Sequence, residues 1–268
     1  MSISSIARCI AKHPVALAAG AVATIPTTVL GGMWIYGLRG FSSTEDRKQE
    51  LPGDDLLLPG DSFARLQEDI VIDAPPEVVW QVIAQLGQRK GGFYALSWLE
   101  RLFTFHIHNV FDRVDAWQEV KPGDFMFYHQ SGIGSQIAEV DPGSHFTSLS
   151  DTRRPPTYQG SMALLPPFGL TSFAWTWNFI LQELPDGRTR FVNRCDSTWE
   201  PWGKKIPSAL IYIWLGSPSV FMVRKMLIKV KKVAEGRQAP QIVDRLVRAV
   251  GVWHSDAKPV ALGVKRDS

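Results

Sequence analysis

Residues 172–182, Ser-Phe-Ala-Trp-Thr-Trp-Asn-Phe-Ile-Leu-Gln, concentrate side chains able to grip an apolar molecule. Side chains alternate across a strand, so Phe173, Trp175, Trp177, Phe179 and Leu181 project from one face. Such a row does one of two things. It fills a solid core, or it lines a chamber for a greasy guest.

Groups that would carry bond-making chemistry are sparse. His106 and His108 alternate as two metal ligands on a strand would, but no Cys, Asp or Glu joins them at ligand spacing, and Asp112 is the nearest acid. No metal site is expected. Asp112-Arg113 and Glu100-Arg101 are accounted for equally well by surface ion pairs. There is no glycine-rich phosphate cradle, activated serine or Cys–His pairing, so neither a catalytic residue nor a cofactor is expected. Cys9 and Cys195 make no disulfide framework, and Cys195 reads as a small buried hydrophobe.

The chain of 268 residues suits one large domain with accessory segments. Its net charge of +3 is unevenly spread. Eight cations and two acids fall between Arg224 and Arg248, leaving the remainder slightly acidic. The aromatics lie apart from this basic run and no nucleic-acid signature is present, so nucleic acid is not an expected partner.

From Pro14 to Leu38 run 25 residues without a charge, enough to cross a bilayer as a tilted helix. Trp34 and Tyr36 suit an interfacial aromatic belt at its far end. A cleaved signal peptide ending near Ala21-Val22-Ala23 is the rival, but apolar sequence continues well past that point, which favours a single-pass membrane anchor. The flanking cations are too balanced to set a topology. The expected organisation is an anchor (1–39), a turn-rich tether (40–62), a folded domain (63–236) and a basic helical tail (237–268).

Within the folded domain, a strand over Ala64–Asp73 turns Leu66, Ile70 and Ile72 one way. Pro75 and Pro76 prepare a helix running to about Leu86, with Glu77 placed to favour its dipole. A short helix is expected over Tyr94–Phe103. Strands follow at Asp124–His129, Ser135–Val140, His145–Ser150, Ser172–Glu183 and Thr189–Thr198. In the last of these, Arg190, Arg194 and Asp196 are expected outside and Asn193 inside, beside the aromatic row. Val223, Met226, Leu227, Val230, Val233 and Ala234 make the apolar stripe of a long final helix.

That order resembles the SRPBCC superfamily, which includes START lipid-transfer domains, polyketide cyclase-like proteins and the birch-pollen-allergen type. The resemblance is carried by Ile72-Asp73-Ala74-Pro75-Pro76-Glu77-Val78-Val79-Trp80, Gly91-Gly92-Phe93-Tyr94, Val120-Lys121-Pro122-Gly123-Asp124 and Phe221-Met222-Val223-Arg224-Lys225-Met226-Leu227. It spans about residues 51–236, and the Leu51-Pro52-Gly53-Asp54 stretch is similar to a bacterial branch. Ser97 stands where relatives usually carry an acid, so an acid–base role does not transfer to it.

The resemblance implies an α+β helix-grip fold, a curved antiparallel sheet wrapped around the C-terminal helix, with an apolar cavity between them. Candidate lining residues are Phe93, Tyr94, Trp98, Trp175, Trp177, Phe179, Asn193, Met222 and Met226. The expected partner is a hydrophobic small molecule or lipid. A cyclase or hydratase using an inward acid or Tyr94, and a non-catalytic module with a filled interior, are the alternatives.

Overall fold

The computed structural model describes residues 28–57, 64–96, 100, 105–130, 132–154, 171–200 and 216–237. They form an α+β unit: α1 (Thr44–Lys48), β1 (Ala64–Ile72), α2 (Pro76–Ile83), β2 (Phe125–Phe127), β3 (Gly134–Asp141), β4 (His145–Asp151), β5 (Ser172–Glu183), β6 (Thr189–Glu200) and α3 (Ser217–Ala234). The strands make one curved antiparallel sheet in the order β1-β6-β5-β4-β3-β2.

The strand expectations hold to within two residues at each end, save that β2 covers only Phe125–Phe127 of the expected 124–129, because hydrophobic alternation matches the pleat. β5 has the expected bounds, and β6 extends two residues further, to Glu200. The register sets Phe146, Phe179, Asn193 and Glu68 side by side across four strands, with Ser148, Trp177, Cys195 and Leu66 as the next row on that face. α2 opens at Pro76 as expected but ends at Ile83, ahead of Leu86. Gly87 then takes φ +130 and bridges to Gly92, a conformation glycine supplies without a Cβ penalty. The helix expected over 94–103 does not begin at Tyr94, which sits at φ +52 with residues 94–95 in a bend. Positions 97–99 and 101–104, Trp98 among them, lie outside the described residues.

On the concave face, Ile72, Phe146, Phe179 and Phe191 pack against Val79 and Ile83 of α2 and Met226, Leu227 and Val230 of α3. Phe179 is fully buried, with its ring stacked 4.6 Å from Phe146 and 6.5 Å from Phe191. This end of the interior is solid.

The convex face corrects two expectations. Arg194 and Asp196 do point away from the aromatic row, but they are buried. Residues 41–57, expected as a tether, lie across them. Arg194 donates from Nε to Gln67 Oε1 (2.7 Å), from Nη1 to the Gln49 carbonyl (2.9 Å) and Asp54, and from Nη2 to the Asp46 carbonyl (3.2 Å). Arg65 reaches Asp196 at 2.6 Å, and Leu57 joins Leu149 and Ala174 in a small apolar cluster. Gly53 (φ +84) passes so near the sheet that a Cβ there would lie 2.4 Å from Thr147 Oγ1. Short polar turns supply the carbonyls that an enclosed guanidinium needs, so the segment is a strap.

Of the expected anchor, residues 14–27 lie outside the described part, and residues 28–38 are helical. Among the described residues, no helix is long and apolar enough to cross a membrane. The end of this helical segment rests on α3, with Tyr36 5.2 Å from Phe221 and the Lys225 ammonium 4.2 Å above the Tyr36 ring.

Candidate functional site

β5 carries the candidate site across the middle of the concave face. Trp177 is stacked on Phe93 (5.7 Å, 25°) and neighbours Trp175 at 5.7 Å and Phe179 at 4.8 Å. Tyr128 closes the group, 5.8 Å from Trp175 and 5.9 Å from Trp177. Phe93, Trp175, Trp177 and Phe179 are thus brought together as expected, though not with equal access. Phe93 and Phe179 are buried, whereas Trp175 and Trp177 are only half-buried.

Each polar atom in this group already has a partner. Trp177 Nε1 donates to Asn193 Oδ1 (2.9 Å), and Asn193 Nδ2 donates to the Asn178 carbonyl (3.2 Å). Ser135 Oγ accepts from Trp175 Nε1 (3.0 Å) and from the Tyr128 hydroxyl (2.6 Å), and lies 2.9 Å from Ser150 Oγ. The indole N–H groups are therefore turned inward, and the rings present apolar faces. Asn193, expected to meet a guest, is 2% exposed and spends its amide holding Trp177 in place.

Tyr128 and Cys195 keep accessible surface. Both are also so enclosed that burial, the leading cause, pushes the phenol and the thiol well above their ordinary pKa. Leu66, paired with Cys195 across β1 and β6, is likewise half-buried. The half-buried stretch of this face thus comprises Trp175, Trp177, Cys195 and Leu66, next to the solid Phe179 end.

The remaining candidates separate. Tyr94 is fully buried, donates its hydroxyl to the Val110 carbonyl (2.6 Å) and accepts from Gln85 (3.0 Å). Burial raises its pKa strongly and its hydroxyl proton is committed to the Val110 carbonyl, so it acts as a structural clamp. Met226 is buried in the solid core and Met222 is half-buried on α3. Trp98 is outside the described residues. A separate small cavity bordered by Ala84, Leu86, Val120, Met126, Ile137 and Phe146 has room for about 20 Å³, enough for one water and far too little for a lipid. Among the described residues, no group of three His, Cys, Asp or Glu side chains could hold a metal.

Sequence reasoning missed Tyr128, Ser135 and Glu68. Tyr128 follows the short β2, where the alternation is too brief to assign a face. Glu68 was legible as the residue between Leu66 and Ile70 on the inward face of β1. It is 2% exposed, neither carboxyl oxygen has a hydrogen-bond partner, and burial raises its pKa to about 8 against the pull of Arg224.

No family model matches the chain, and no curated protein matches it. Among solved structures, a protein of Nitrosomonas europaea is similar at 14% identity, covering 68% of this chain and 100% of its own, with a TM-score of 0.36. One from Mycobacterium smegmatis matches at 17% identity over 65% of this chain and 91% of its own, also at 0.36. One from Arthrobacter aurescens matches at 15% over 64% and 86%, at 0.33. Likenesses this low say nothing of function.

Proposed function

We propose that this chain is a helix-grip domain of the SRPBCC kind that binds an apolar or amphipathic, lipid-like small molecule between the sheet and α3, held at a membrane through residues 14–38. One observation carries the reading: Trp175, Trp177, Tyr128 and Cys195 keep accessible surface on the concave face, beside the buried Phe93 and Phe179. With their N–H and O–H groups already bonded, these walls favour a guest recognised by shape and apolar contact. The helical residues 28–38 support the membrane part, since Val29, Ile35 and Leu38 are large exposed hydrophobics beside Tyr36, Arg39 and Lys225.

The test is native mass spectrometry of the full chain after gentle detergent extraction. Wild type should carry lipid-like mass adducts, and Cys195→Phe, which fills space beside Trp177, should lose them. Bare wild-type protein, or equal adducts on a folded Cys195→Phe, would overturn the reading.

A further inference from the structure

The Glu68 carboxyl lies at the meeting point of three elements. β1 is an edge strand, and residues 40–42 cover that edge: the Ser42 amide donates to the Gln67 carbonyl (3.1 Å), the Asp69 amide donates to the Gly40 carbonyl (3.0 Å), and Phe41 bridges to Glu68 itself. Gly40 is buried against the carboxyl. A Cβ at that position would lie 2.4 Å from Glu68 Oε2 and 2.6 Å from Arg224 Cδ. One turn earlier, Gly37 meets Val220 as closely, a Cβ there lying 2.6 Å from its Cγ2. Two glycines thus let residues 36–42 close over a carboxyl whose two oxygens have no hydrogen-bond partner.

We propose that Glu68 is a proton-held latch: its neutral carboxyl lets residues 36–42 dock on β1 and α3, and its ionisation releases them. A neutral acid tolerates the enclosure far better than a carboxylate that would carry an unsolvated charge there. Among the described residues, few charged groups act on it. α3 contributes Arg224, which is also bonded to the Asp69 carbonyl (3.3 Å) and favours the ionised form. β1 contributes Asp69, which opposes it and whose carboxylate is turned to Arg190 and Ser42. β6 contributes the neutral Asn193, and the ionisable groups of the docking segment, Arg39 and Tyr36, engage each other and Lys225. Desolvation outweighs Arg224.

The sign follows from the raised pKa of the docked state, about 8 against an ordinary 4.5. Docking is strongest below pH 4.5, weakens by up to tenfold per pH unit above it, and reaches its floor once pH has passed 8. Other elements share the desolvation of Glu68, so the segment accounts for part of this range.

Hydrogen exchange of the full chain in mild detergent tests the latch. The Ser42 and Asp69 amides are the reporters, with protection corrected for intrinsic exchange at each pH. Protection should fall at least about tenfold between roughly pH 5.5 and 8.5 in wild type, and less than about twofold in Glu68→Gln. A second variant, Gly40→Ala, should leave both amides weakly protected at every pH. A flat wild-type profile, an equal fall in Glu68→Gln, or a fully protected Gly40→Ala would each refute the proposal.

Discussion

Truncating Phe179 and Trp175 separately should distinguish the solid end of the interior from the open one. Phe179 is fully buried and lies against Phe146, Phe191 and Trp177, so Phe179→Ala removes a ring from a close-packed setting. The expected loss is about 3–5 kcal/mol, transfer and cavity together. Trp175 is the larger side chain but only half-buried, and its truncation opens onto space that is already accessible. Its indole N–H leaves with it, while Ser135 Oγ keeps Tyr128 and Ser150 as partners, so no buried group is orphaned. Trp175→Ala should therefore cost less, about 2–3 kcal/mol for the transfer of a mostly buried ring, with little added cavity term because the ring keeps some accessible surface. Urea unfolding followed by far-UV circular dichroism measures both without relying on tryptophan emission. If Trp175→Ala loses as much stability as Phe179→Ala, the rings form one packed core and no chamber lies beside them.

Two further outcomes follow from particular contacts. Gly53→Ala should destabilise by about 1–3 kcal/mol, because alanine is strained at positive φ and its Cβ would strike Thr147, whereas a free tether would show no change in melting temperature. Asn193→Ala should cost about 1–3 kcal/mol by leaving the Trp177 N–H without its acceptor, and it should shift tryptophan emission; an unchanged spectrum would deny Asn193 its positioning role.

Period-two alternation was enough to place β5 and its aromatic row on one face, because the pleat alone decides where Phe173, Trp175, Trp177 and Phe179 project. The Pro76 start of α2 and the apolar stripe of α3 were legible for the same local reason. What covers each face was not legible. Arg194 looks like a solvent-facing cation until a polar strap distant in sequence supplies its carbonyl partners. Glu68 interrupts an inward row without showing that Gly40 and Arg224 will enclose it. Tyr94 looks like a pocket tyrosine until Gln85 and Val110 take its hydroxyl. Alternation and capping act over a few neighbouring residues, so the chain carries them in plain view. Enclosure depends on segments far apart in sequence, and only the tertiary structure brings them together.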